Sequence, residues 1–180
     1  MKMKTVHVID KDFGLFIPQE QIEASIQNVA EQINRDLDGM NPMFLVVLNG
    51  AFMFASELFK RVTIPCEISF VKLSSYAGTE TTSVVRELIG LDHALDGRHV
   101  VVVEDIIDTG HTMRYTIKKL RDLKAADVRI ATLFFKPASF QYDYPIDYKG
   151  MDIGNDFIVG FGLDYDQQGR NLPDIYKIIE

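Results

Sequence analysis

The sequence predicts an α/β protein built on a mostly parallel sheet with helices on its faces, and three observations predict it. Short apolar runs at 43–48, 99–103 and 128–135 alternate with longer stretches whose apolar residues recur every three to four positions. Residues 100–103 are four valines, and a strand without polar alternation is one buried on both faces. The chain has 180 residues, 47% hydrophobic and 25% charged, which is length and composition for one globular domain with a sizeable core. A single domain spanning 1–180 is expected, with the terminal segments (about 1–17 and 138–180) forming a small hood over the carboxyl edge of the sheet.

Taken in order, Val6, Val8 and Ile9 suggest a strand that turns at Asp10, Lys11 and Asp12. A helix follows Pro18, because Ile22, Ile26, Val29, Ile33 and Leu37 keep helical spacing; Pro18 suits its start and Gly39 its end. The buried strand at 43–48 is broken by Asn49-Gly50-Ala51, and a second helix runs over 52–61. Residues 65–73 alternate as a strand with Ile68, Phe70 and Leu73 as apolar members. The segment 74–83 is the most polar of the chain, and 84–89 returns as a strand, making that segment the tip of a long hairpin. The central strand is 99–103, and a helix with Met113, Ile117, Leu120 and Leu123 at helical spacing follows at about 112–123. The strand at 128–135 ends at Lys136-Pro137, then a tyrosine-rich connection leads to a last apolar run at 157–163. Ligands in such sheets sit outside the carboxyl ends of the strands, where Asn49, Glu104, Asp108 and Lys136 all fall.

The totals exclude several classes. A net charge of −7 argues against nucleic acid or an anionic membrane as partner, so an anionic substrate has to be held by local devices. Cys66 is the single cysteine, which excludes an intrachain disulfide and suits a reducing compartment. No signal-like leader and no 18-residue apolar span is present, and a soluble cytoplasmic protein is expected. Four scattered histidines give no zinc spacing, and no P-loop motif occurs. Gly160-Phe161-Gly162 opens a dinucleotide fingerprint, but Tyr165 stands where its third glycine belongs.

The stretch that carries chemistry is Glu104-Asp105-Ile106-Ile107-Asp108-Thr109-Gly110-His111-Thr112. A strand that ends in a Gly/Thr turn and feeds a helix points backbone N–H groups and the positive end of the helix dipole at one spot, which suits a phosphate. Three carboxylates beside an anion site need other work: holding sugar hydroxyls near a divalent metal, or moving a proton. Singly, these residues are ordinary turn and cap residues; the block as a whole is not.

This block resembles the phosphoribosyl pyrophosphate (PRPP) signature of type I phosphoribosyltransferases, in particular the hypoxanthine (hypoxanthine-guanine) branch. The resemblance covers nearly the whole chain, from the first helix to Arg170-Asn171-Leu172-Pro173. It implies that Glu104 and Asp105 bind the ribose hydroxyls and Mg²⁺, and that Asp108 is the general acid/base at the purine N7. The turn of Asp108, Thr109, Gly110, His111 and Thr112 would cradle the 5′-phosphate. Lys136 would donate to the purine 6-oxo group, Phe157 would stack on the base, and Ile158 would offer backbone contacts to its far edge. Asp164 would border the base and hold a second Mg²⁺ on the pyrophosphate, and Arg170 would pair with the pyrophosphate. Asn49 and Gly50 occupy the pyrophosphate loop, where the family's peptide is usually cis, and Ser75 with Tyr76 match its mobile loop.

The sequence departs from the family at two positions. Asn49 stands where a Lys or Arg is usual, and His111 where a lysine is common. The activity implied is purine salvage, from PRPP and a 6-oxopurine to IMP, and GMP, plus pyrophosphate. Two alternatives stay open: a same-fold enzyme preferring xanthine, and a PRPP- or nucleotide-binding regulator without catalysis. The family usually forms dimers or tetramers, and an Ala51-Phe52-Met53-Phe54 helix face would suit such an interface.

Overall fold

The computed structural model of the protein describes residues 4–76, 84–89 and 95–179. The chain opens with a hairpin, β1 (Thr5–Val8) and β2 (Lys11–Ile17), and enters α1 (Gln19–Asp36) directly after Pro18. Then come β3 (Met43–Leu48), α2 (Phe52–Phe59), β4 (Glu67–Tyr76) and β5 (Val84–Ile89). The second half holds β6 (His99–Ile107), α3 (His111–Asp122), β7 (Asp127–Phe135), β8 (Tyr148–Asp152), β9 (Ile158–Val159) and β10 (Ile175–Ile178).

Six strands form the main sheet in the order β5-β4-β3-β6-β7-β8. β4, β3, β6, β7 and β8 run parallel, and β5 adds an antiparallel edge. Alternation along β3, β6 and β7 sends side chains to two faces. Phe44, Val46, Val101, Val103, Ala131 and Leu133 pack with α1 and α2, while Met43, Leu45, Val100, Val102 and Ile130 pack with α3. A second, antiparallel sheet of β1, β2, β10 and β9 makes the hood.

Several expectations need correcting. The first turn falls at Ile9 and Asp10, and Lys11 and Asp12 already belong to β2. β6 runs on to Ile107 because its pairing with β7 continues to Ile107↔Phe135, so Glu104 and Asp105 are strand residues. The hood is smaller than expected, since residues 148–152 pair in parallel with β7 and extend the main sheet. In β4, Ile68 and Phe70 are 38% and 43% exposed whereas Val71 is buried. The register explains it: Ile68 and Phe70 lie beside Phe44 and Val46 on the helical face, but short α2 packs on β3 and β6 and stops short of β4. Of the proposed interface helix face, Ala51 and Phe54 are core residues and Phe52 is the exposed one. Ser75 and Tyr76 end β4, and the tip of the hairpin expected to move lies outside the described residues. Among the described residues, no helix is long and apolar enough to cross a membrane.

The hood is tied to the main sheet's first helix through one buried carboxylate. No side chain of the Pro18 region caps α1; instead Asp174 Oδ1 accepts from the Gln19 amide at 2.9 Å. Its other oxygen accepts from Lys4 Nζ at 2.6 Å and the Tyr176 hydroxyl at 3.0 Å. Burial alone would raise the Asp174 carboxyl, but the bonds from Lys4, the Gln19 amide and Tyr176 hold it below the ordinary carboxylate range. A depressed acid stabilises the fold above its unfolded value and loses that contribution as pH falls through the folded one. Asp174→Ala is therefore expected to cost about 1–3 kcal/mol at pH 7, from a lost helix cap and an orphaned tyrosine hydroxyl. Denaturant unfolding at pH 7 and pH 3 checks this, with the deficit shrinking at the lower pH.

Candidate active site

From β3 the chain moves to β4 on one side, and from β6 to β7 and β8 on the other, so the strand order reverses between β3 and β6. Such a switch point leaves a crevice outside the carboxyl ends. A cavity of about 500 Å³ opens there, and its wall takes Gly50 from the loop after β3, residues 104–113 from β6 and α3, and Asp164 and Arg170 from the hood.

The phosphate-type turn comes from the abrupt passage of β6 into α3. Gly110 caps α3 with φ 88°, a left-handed conformation that glycine adopts without cost. A Cβ at Gly110 would stand 2.5 Å from the Tyr144 hydroxyl and 2.7 Å from the Phe140 ring. No side chain caps the helix, and the amides of Thr109, Gly110, His111 and Thr112 donate to no backbone carbonyl among the described residues. Unpaired first-turn amides on the positive end of a helix are an anion site. The Tyr144 hydroxyl donates to Gly110 O at 2.8 Å, and burial first, then the charges of Tyr142 and Glu104, push its pKa up and keep it protonated.

Glu104 and Asp105 both reach the cavity wall. Glu104 is pushed well above the ordinary carboxylate range, first by loss of water around it and then by the charge of Asp105. Burial also raises Asp105, opposed by hydrogen bonds, including one from the Ile106 amide at 2.9 Å, and by the charge of Arg170. The pyrophosphate-type loop presses against this pair: a Cβ on Gly50 would lie 1.7 Å from Asp105 Oδ2. The Leu48–Asn49 peptide is cis, as the resemblance implied. The exposed Asn49 is not on the cavity wall, where Leu48 and Gly50 stand instead.

Lys136, 8% exposed, follows β7 and puts Nζ 3.4 Å from Asp108 Oδ2. Asp108 itself is half-exposed at the mouth of the turn. Arg170, on the cavity wall, pairs with Asp164 at 2.8 Å and donates to Gly162 O at 2.7 Å and to Gln167 Oε1 at 3.4 Å. Phe157 and Ile158 are not on this wall. Phe157 is 46% exposed and forms an aromatic group with Phe13 and Tyr165, while Ile158 is buried in β9.

Sequence reasoning missed Gly162, Tyr142 and Tyr144. Gly162, at φ 98°, would drive a Cβ to 2.1 Å from Gly50 O, so it sets how closely the hood approaches the loop after β3. Its glycine pattern resembles part of a dinucleotide motif and lies in the segment likened to the family's base-binding run, but neither signal points to a contact with Gly50. The tyrosines were visible as composition, but no spacing rule ties residues 142 and 144 to a turn more than thirty positions earlier.

Two adjacent buried carboxylates, with Glu104 pushed up by burial and by the charge of Asp105, suit a hard divalent cation such as Mg²⁺, which takes oxygen ligands and completes its shell with water and substrate phosphate. No three acidic, histidine or cysteine side chains among the described residues converge into a metal cage. The raised Glu104 also carries a stability consequence. An acid raised on folding holds an extra proton between its unfolded and folded values, so stability falls as pH climbs through that window. Glu104→Gln removes the burial penalty on the charge. It is expected to melt higher than the parent at pH 8, by about 2–4 °C per kcal/mol relieved, and the advantage should fade near pH 4, where an ordinary glutamate is protonated. Thermal melts across that range check the sign.

The phosphoribosyl transferase domain family matches residues 18–166. The hypoxanthine-guanine phosphoribosyltransferase of Streptococcus thermophilus is 41% identical over 92% of this chain and 93% of its own. Among solved structures, the hypoxanthine-guanine phosphoribosyltransferase of Bacillus anthracis superposes with a TM-score of 0.86 at 34% identity, covering 92% of this chain and 96% of that one. The hypoxanthine phosphoribosyltransferase of Staphylococcus aureus superposes with a TM-score of 0.87 at 32% identity, covering 92% and 90%.

Proposed function

The chain belongs to the phosphoribosyl transferase domain family, and from that premise we infer that it moves the 5-phosphoribosyl group of PRPP onto N9 of hypoxanthine or guanine, giving IMP or GMP and pyrophosphate. The observation that carries this is the single cavity in which four unpaired amides at the start of α3 adjoin the Glu104–Asp105 pair. The amides and helix dipole take the 5′-phosphate; the carboxylates, a few residues away along the same strand end, orient the ribose 2′- and 3′-hydroxyls. Glu104 and Asp105 would hold Mg²⁺, and Asp164 a second ion, whose positive charge would offset that of the leaving pyrophosphate. Arg170 and the backbone at Asn49 and Gly50 bind that pyrophosphate at the opposite end. The missing cation at Asn49 leaves Arg170 a larger share of the task.

The base edge follows from the Asp108–Lys136 pair. N7 and O6 of a 6-oxopurine are neighbours on one edge, and a carboxylate and an ammonium 3.4 Å apart match them. Asp108 accepts the N7 proton as N9 attacks C1′, and Lys136 donates to O6. Adenine offers an amino group where Lys136 needs an acceptor, so it is rejected. Phe157 stacks on the ring and Ile158 contributes backbone contacts once the base is seated. Ser75 and Tyr76 close over the site and exclude the water that competes for the activated ribose. The enzyme acts in the cytoplasm as a homodimer or homotetramer, with exposed Ile68, Phe70 and Phe52 available to an interface.

The test supplies PRPP and Mg²⁺ with hypoxanthine, guanine, xanthine, adenine or uracil. Turnover is expected with the first two and not with adenine or uracil; preference for xanthine, or PRPP binding without turnover on any base, would replace this function. Asp108→Asn should lose about 10²–10⁴-fold in kcat while PRPP affinity stays within roughly threefold. Lys136→Ala should narrow the gap between hypoxanthine and adenine, and an unchanged gap would remove Lys136 from base selection.

A further inference from the structure

The connection between β7 and β8 is tied to the phosphate turn at three consecutive turn residues. The Gln141 amide donates to Thr109 O at 3.2 Å, the Tyr144 hydroxyl donates to Gly110 O at 2.8 Å, and the Tyr142 hydroxyl is hydrogen-bonded to Nδ1 of His111. Both carbonyls are thereby engaged from outside, which keeps the intervening amides turned to the cavity. The Tyr142 ring is itself held. It stacks on Tyr144 at 5.8 Å with an 18° tilt, and the Arg114 guanidinium lies 4.9 Å from its centroid. His111 is exposed on the cavity wall, and its Nε2 makes no hydrogen bond among the described residues.

We propose that Tyr142 is a positioning residue that fixes the ring and tautomer of His111, so that His111 Nε2–H donates to the 5′-phosphate of the ribosyl ligand. This rests on the assignment of the turn to the 5′-phosphate. The chemistry lies in what a neutral imidazole needs and an ammonium does not. A lysine at this position donates in any orientation, whereas a neutral histidine has one donor and one acceptor nitrogen, and the wrong tautomer would turn a lone pair to the phosphate. A phenol that donates to Nδ1 places the proton on Nε2. A ring clamped by Tyr144 and Arg114 holds that phenol still, which lowers the ordering cost when ligand binds. Residue 111 thus supplies phosphate contact through a side-chain pair rather than a single cation.

The experiment measures equilibrium binding of IMP and of inosine, which lacks the 5′-phosphate, at pH 8.5, where an imidazole is ordinarily neutral. The parent, Tyr142→Phe, His111→Ala and the double variant are compared. Tyr142→Phe is expected to weaken IMP about 5–10-fold, the worth of one ordinary hydrogen bond, with inosine unchanged. His111→Ala should weaken IMP at least as much, and Tyr142→Phe should add nothing to it. Nitrogen-15 spectra of His111 with IMP bound should show the Nε2–H tautomer in the parent and lose that bias in Tyr142→Phe. In kinetics the same variant should raise KM for PRPP and leave kcat at saturation. A parent that binds inosine as tightly as IMP would overturn the phosphate assignment of the turn. A parent that discriminates, with a Tyr142→Phe variant that discriminates equally or weakens both ligands alike, would overturn the positioning role alone.

Discussion

The rigid seat of β6 is the constraint on which the site depends. Its valines are at most 1% exposed, with α1 and α2 on one face and α3 on the other, and it is paired in parallel with β3 and β7 on both edges. Close packing on four sides leaves no room for the strand to shift, since a one-residue slip would turn its whole apolar set to the wrong face. Glu104, Asp105 and the turn after Ile107 are carried on the end of that strand. The core fixes Glu104 and Asp105, while the turn is held in addition by Gln141, Tyr142 and Tyr144 of the connection after β7, and a binding site needs this kind of preorganisation.

The electrostatics follow from a negatively charged chain that has to hold a strongly anionic substrate. It uses few free cations for this. In the proposed function the backbone amides at the head of α3 carry part of the task, and two cationic side chains are partnered with carboxylates, Lys136 with Asp108 and Arg170 with Asp164. The Glu104–Asp105 pair lies beside them on the cavity wall, where burial and the neighbouring carboxylate push Glu104 well above the ordinary carboxylate range. A divalent cation between this pair and the phosphates of a ligand would offset both negative charges.

Much of this was legible in the sequence, for identifiable reasons. The helix period from Ile22 to Leu37, the valine run and the Gly/Thr turn are local signals, and each corresponds to the element it announced. The exposed faces of Ile68 and Phe70 were not legible, because which side of β4 is covered depends on the length of α2, not on alternation within β4. The end of β6 was placed too early because carboxylates ordinarily mark strand ends, whereas here the pairing with β7 persists past them. The contacts of Tyr142 and Tyr144 with the turn, and of Gly162 with Gly50, join segments distant in sequence. Only the folded topology brings them together.

The meeting of Gly50 and Gly162 has a consequence for how the protein can vary. The carbonyl of Gly50 occupies the space that a Cβ on Gly162 would need, and a Cβ on Gly50 would displace the Asp105 carboxylate. Substitutions at these two positions are not independent, and neither are those at Asp105, since all three share one interlocked volume. The hood and the sheet therefore drift as a pair: a side chain gained at one is tolerated only with a backbone rearrangement at the other. Recombining hood and sheet segments requires that both sides of this joint stay free of a Cβ.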